Sequence, residues 1–505
     1  MARSARALAQ DRSRRRDVGT ACRSGAAIFA LLALSAQVPS AAAHSFGRIY
    51  NLPVPFWMYA WGGAAALLLS FLVVAWFATA PAGSRAPRSI DLQHSGVVRA
   101  LRWLRLRCVL RALALIGLIA CVLSGWFGTR DPYRNFNMTF FWVVFVLGFA
   151  YLTALIGDVY ALLNPWRTLA ELLGRAWRGY LQGRVRYPSS LAYWPALALY
   201  MAFIWVELFA HTRPLSLAQL LLGYSVLNLV AVYVFGAAAW FRYGEFFAVF
   251  LRLLALMAPI DYRPGQGIRL RPPFSGLLEA HAESWSLLVF ILFMLSSTAF
   301  DGLRATVPWF KLFWFDPTGW LTEWMGKPPI HAYIELRPWY LVYETMCLFL
   351  SPLLYLAIYL VFVWLARVCG GSRRSLRELA LGFAYSLLPI ALVYHFTHYY
   401  TLLLTQGLKI VSLLSDPLGN GWNLFGTAGL LRAPILPDLK WIWHTQVGLI
   451  VFGHIVSVWI AHVEALRLFP SRRAAVLSQI PMLLLMVAFT TFGLWILAQP
   501  IQSGR

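Results

Sequence analysis

In the run Tyr394-His395-Phe396-Thr397-His398-Tyr399-Tyr400 two histidines stand three residues apart within an apolar stretch, so an α-helix would carry both imidazoles on one face. Imidazole is costly in hydrocarbon, and two on one face ask for a common cavity or partner. With that helix ending near Leu403, His395 lies about 12 Å and His398 about 8 Å below its outer end. His444 stands at the mouth of the following stretch, with His454 about 16 Å further in. Acidic groups reach the same layer. Glu207 closes one apolar stretch with His211 four residues on, and Asp301 closes another within Ser296-Ser297-Thr298-Ala299-Phe300-Asp301-Gly302. Glu344 opens a third with Cys347 three residues on. His, Asp and Glu delivered by several helices are the donor set of a zinc-like divalent transition-metal site in a helical bundle. A lone intramembrane His or Glu serves equally well as a hydrogen-bond link between helices, so the functional reading rests on convergence.

The elements that must position these groups are membrane spans. Of 505 residues 60% are hydrophobic and only 12% charged, far from the roughly quarter-charged balance of a soluble domain. Arg12, Arg14, Arg15 and Arg16, the apolar stretch Ala26 to Leu34 and Ala41-Ala42-Ala43 read as a signal peptide over 1–43. Residues 44–505 then form one all-α transmembrane domain of about ten helices, at 56–78, 108–127, 138–163, 190–210, 217–240, 284–303, 341–366, 379–403, 443–466 and 476–498. If residue 44 starts outside, the inner loops 79–107, 164–189, 241–283, 367–378 and 467–475 hold 6, 5, 5, 4 and 3 Lys and Arg, 23 in all, against 12 in the outer segments. Both mature ends then face the periplasm or exterior of a bacterial inner membrane, and so does the His/Asp/Glu layer.

This distribution also accounts for the net charge of +23 without a nucleic-acid partner, because the arginines sit between apolar runs rather than on one patch. Asn164-Pro165 supplies an N-cap and a first-turn proline for an amphipathic helix lying on the membrane surface through Tyr180, and residues 245–258 repeat that pattern less clearly. The outer loops 304–340 and 404–442 are rich in Trp, Pro and Gly and suggest a partly ordered lid. A second polar cluster, Asp158, Glu279, His281, Glu283, His462 and Glu464, lies near the inner face, where solvation and pairing with arginines explain it. An N-terminal His44 would offer copper an amine and an imidazole, although it is also simply the residue that processing leaves. No phosphate loop, GxGxxG, HExxH or CxxC is present.

His44-Ser45-Phe46-Gly47-Arg48 to Asn51-Leu52-Pro53-Val54-Pro55, Gly157-Asp158 to Leu163-Asn164-Pro165-Trp166-Arg167-Thr168-Leu169, Ser297 to Gly302, the His395/His398 helix and Gly453-His454 to Ala461-His462 together resemble bacterial membrane proteins of the fenitrothion hydrolase type over nearly the whole mature chain. The resemblance implies hydrolysis of an organophosphorothioate triester, a small apolar substrate that partitions into the bilayer. A metal would activate the water. On that reading His395, His398, His454 and His444 are candidate ligands, Asp301 and Glu207 ligands or the base, and Glu344 an orienting group. Two rivals stand beside it: an inverted-repeat transporter, for which no span looks plainly broken at mid-depth, and an electron carrier with haem between the eighth and ninth spans. The chain could also be one subunit beside a partner.

Overall fold

A computed structural model of the protein describes residues 55–77, 89–92, 95–96, 106–263, 267–433, 435 and 437–499; the expected signal segment and His44 lie outside them. The architecture is all-α, and among the described residues nine helical segments are long and apolar enough to cross a bilayer. The helices that matter here are α1 (Phe56–Phe77), α2 (Leu106–Phe127), α3 (Phe136–Ile156), α4 (Pro165–Ala176), α5 (Trp194–Phe209), α6 (Pro214–Phe235), α7 (Phe246–Ala255), α8 (Trp285–Arg304), α9 (Tyr333–Cys369), α10 (Leu376–Phe383), α11 (Leu388–Gln406), α12 (Leu439–Leu468) and α13 (Arg472–Ala498).

The fourth expected span, α5, has 16 residues and is about 24 Å long, short for a bilayer core of about 30 Å. It nevertheless runs alongside α8 from end to end. The Tyr193 backbone N–H donates to Ser286 Oγ at 3.1 Å at one end, and Arg304 Nη1 donates to the Leu208 carbonyl at 3.2 Å at the other. Sixteen of the 20 residues of α8 are buried, which makes it the central post of the bundle. By contrast α1, α2 and α9 turn Leu69, Leu72, Leu113, Ile116, Leu353 and Leu354 outward, as helices facing lipid do.

Three short strands interrupt the helices. β1 (Ile90–Asp91) pairs antiparallel with β3 (Gly267–Leu270), which pairs with β2 (Ile260–Arg263), giving the order β1-β3-β2. The pairing Ile90 to Leu270 joins two loops expected on the same side of the membrane. That side is called the arginine-rich face below.

Two expectations for this face change. α4 begins as read: Asn164 Oδ1 accepts from the Arg167 N–H at 2.9 Å and Pro165 occupies the first turn. Its Trp166 is buried rather than laid on the surface, however, with its indole N–H donating to Ser225 Oγ on α6 at 2.9 Å. α7 is not a surface helix at all, since eight of its ten residues, Phe246 and Phe247 among them, are buried inside the bundle. Its ten residues, nine of them apolar, are too few to span, so the short run between Arg242 and Arg252 resembles an interfacial segment in sequence alone. The eighth span, expected without a plain break at mid-depth, runs as one helical stretch that tightens near its inner end. α10 and α11 are separated by a 3₁₀ turn, Ala384–Leu387, just before Pro389, and Ser457 Oγ of α12 donates to the Ser386 carbonyl there at 2.6 Å.

On the opposite face the expected loop 304–340 is largely helical, while 404–442 is helical only at its two ends. Val307–Trp314 and Trp320–Met325 precede α9, which starts at Tyr333, so Glu344 lies inside that helix rather than at its start. Trp314 is buried and Trp309 stacks on Tyr343 with ring centroids 5.3 Å apart, whereas Trp320 and Trp324 are exposed.

Candidate functional site

Toward the end of α8 away from the arginine-rich face, Asp301 turns into the bundle and meets α11. His398 Nε2 lies 2.6 Å from Asp301 Oδ2. An ionised carboxylate only accepts, so Nε2 carries the hydrogen and Nδ1 keeps its lone pair. The next residue on α11, Tyr399, donates to Glu207 Oε1 of α5 at 2.8 Å and also stands 3.4 Å from Asp301 Oδ2. Glu207, Tyr399, Asp301 and His398 therefore form one chain of proton-carrying groups across three helices. The His398 side chain is 24% exposed, against 9% for Asp301, so the imidazole is the more accessible member of the dyad.

Glu344 joins through a cation. Arg304 places Nη2 3.4 Å from Glu344 Oε2 and Nε 3.5 Å from Oε1, and its Nη1 is 4.0 Å from Asp301 Oδ1. Its guanidinium also lies 4.6 Å from the Phe209 ring centroid, locking the end of α5 against α8 and α9. The named set holds three carboxylates against one guanidinium. Arg304 and Tyr399 are absent from the sequence reading. Both were within reach of it, Arg304 one helical turn after Asp301 and Tyr399 directly after His398.

The remaining candidates part from this group. His395 shares a helix with His398, but its Nδ1 lies 3.1 Å from the Tyr151 hydroxyl of α3; both imidazoles pack on Tyr399, whose ring centroid is 5.0 Å from one and 4.8 Å from the other. His454 is fully buried on α12, its Nδ1 2.8 Å from the Ile450 carbonyl and its ring against Tyr394. His444 is exposed and turns back to the Lys440 carbonyl at 2.6 Å. His211 lies past the end of α5 with φ of 43°, so it does not share a helical face with Glu207. Among the described residues no three His, Cys, Asp or Glu side chains form a group that could hold a metal ion. His398 and Asp301, two of the donors expected from the sequence, are hydrogen-bonded to each other.

The inner cluster is as expected in part. Glu283 pairs with Arg242 at 3.1 Å, Glu464 with Arg467 at 3.1 Å and Glu279 with Arg271 at 3.8 Å. Glu464 and His462 are buried rather than solvated. Nearby, a carboxylate that the motif search did not single out, Glu245, is completely buried before α7. It accepts from the Phe247 and Ala248 N–H groups at 3.1 and 2.8 Å, from Asn164 Nδ2 at 3.2 Å, from the Tyr160 hydroxyl at 3.4 Å and from the Tyr224 hydroxyl.

Comparison of the chain with protein-family models, curated proteins and solved structures finds no match.

Proposed function

We propose that this protein is a membrane-embedded hydrolase of small apolar phosphotriesters of the organophosphorothioate type, working in a bacterial inner membrane on the periplasmic side. The observation that supports it is the His398–Asp301 dyad, a partly exposed imidazole oriented by a buried carboxylate. In this reading Nδ1 of His398 takes a proton from water as the water oxygen bonds to phosphorus. The phosphorus–aryloxide bond breaks, a nitrophenolate leaves, and the proton returns to it or to solvent, giving a dialkyl thiophosphate and a nitrophenol. A base positioned this way contributes about 10²- to 10⁴-fold in rate, and the good leaving group needs no strong acid. Asp301 holds the tautomer, and Arg304 and Tyr399 hold Asp301 and Glu207 in place. The test is release of nitrophenol from an organophosphorothioate by membranes carrying the full chain, in a host without that activity. Hydrolysis that is lost in H398A and sharply reduced in D301N supports the reading, and undiminished hydrolysis in H398A rejects it. A chelator should leave the rate unchanged; loss that zinc restores would bring a metal into the reaction.

A second reading, a proton-coupled carrier, draws on the 3₁₀ turn between α10 and α11 and on the buried α7, since irregular helices line many carrier sites. Flux of an apolar solute driven by a pH gradient in sealed vesicles, without product formation, would favour it.

A further inference from the structure

On the arginine-rich face, across the membrane from Asp301, the segment after α4 and the ends of α5, α6 and α8 enclose a cavity of about 950 Å³, open on one side and at the upper end of the size range of small-ligand sites. Its wall is rigid. The Arg184 and Val185 N–H groups both donate to the Val234 carbonyl at 2.8 Å, and the Tyr180 hydroxyl donates to the Leu229 carbonyl at 2.7 Å. Gly183 and Gly236, with φ of 76° and 83°, let the two backbones touch where a Cβ on either would strike the other chain segment.

Charge in this cavity is one-sided. Arg184 and Arg186 line it and pair with no described carboxylate, Arg184 lying 5.2 Å from the Tyr233 ring centroid. The carboxylate in the lining, Glu283, is held by Arg242 at 3.1 Å and by the Tyr193 hydroxyl at 3.4 Å, while Arg252 lies over the Tyr193 ring at 6.0 Å. Two guanidiniums thus line the cavity, and a third, Arg242, already holds its carboxylate. Burial pushes the Tyr193 phenol up to about 12, so it stays a donor. Val185, 55% exposed, adds an apolar side chain to the lining.

We propose that this cavity binds the phosphodiester headgroup of an anionic phospholipid, with Arg184 and Arg186 taking the phosphate and the acyl chains passing Val185 into the bilayer. Guanidinium forks suit phosphate oxygens, and basic pockets at the ends of transmembrane helices suit anionic headgroups. Soluble glycerol phosphate shares the headgroup chemistry but has no acyl chain to set against Val185.

The full chain in detergent would be titrated with phosphatidylglycerol, phosphatidylcholine and glycerol phosphate, and bound lipid counted by native mass spectrometry. The expected result is phosphatidylglycerol binding at least about tenfold tighter than phosphatidylcholine. R184Q/R186Q should lose that preference at an unchanged gel-filtration profile, and R184K/R186K should fall between, because charge without the fork binds phosphate less well. Equal binding of the two lipids, or a preference that survives in R184Q/R186Q, overturns the proposal. Glycerol phosphate binding as tightly as the lipid overturns its lipid source.

Discussion

Two regions of this molecule bury carboxylates among tyrosines, and they are built on opposite plans. Glu245, before α7, receives five donors, two backbone N–H groups, two phenols and an amide, each fixed by its own helix. At the other end of the bundle, Asp301 Oδ2 is approached by both His398 and Tyr399, and Tyr399 also serves Glu207. A carboxylate saturated by fixed donors has nothing left to exchange and fastens the helices that supply them. Carboxylates that share a few titratable donors can pass a proton along, and the partly exposed imidazole at the end of the chain is where that proton would meet a substrate. The difference lies in who donates, since both regions are deeply buried.

Exchanging the two roles in experiment should separate function from stability. H398A is expected to lower hydrolysis by at least about 100-fold while leaving the thermal midpoint within about 2 °C, read from nitrophenol release and from unfolding in detergent. A parallel collapse of the midpoint would reduce His398 to a fastener like Glu245. E245A should do the reverse. It leaves two phenols, an amide and two backbone N–H groups without an acceptor and destabilises the fold by about 3 kcal/mol or more, with activity per folded molecule retained. Y399F removes the hydroxyl between Glu207 and Asp301; a rate loss of about tenfold with about 1 kcal/mol of stability is expected, and an unchanged rate would show that the chain ends at the dyad.

The smallest effect is on pH dependence near the arginine-rich face. Burial raises the Asp158 carboxyl from its ordinary value of 3.8, against the pull of the Ala161 N–H, Arg252 and Arg167. The folded state therefore holds the proton more tightly than the unfolded chain does. That contribution is full below the ordinary value and is lost as pH rises through the raised one, so D158N should flatten the acid limb of a midpoint-against-pH curve.

Much of this arrangement is legible in the sequence, for identifiable reasons. Apolar length marks the spans, arginine counts pair the loops that β1 and β3 later join, and the Asn164-Pro165 start of α4 follows from capping chemistry. Depth along a helix brings Asp301, Glu207 and His398 to one layer, because rise per residue is fixed. Direction around the helix is not legible. In α11 and α12 almost every face is apolar, so no stripe tells whether an imidazole looks at α8, at α3 or along its own helix. His395 accordingly turns to Tyr151, and His454 and His444 turn to carbonyls of their own helix. The same lack of contrast hides α7, whose apolar residues suit a membrane surface or the bundle interior equally well.

The central claim is that His398 and Asp301 act as one unit. A double-mutant cycle on hydrolysis rate, comparing H398A, D301N and H398A/D301N at matched amounts of folded protein, tests it most directly. The account predicts that the double variant is no slower than H398A alone, because the carboxylate works only through the imidazole. Losses that multiply, each substitution keeping its full effect in the presence of the other, would contradict it.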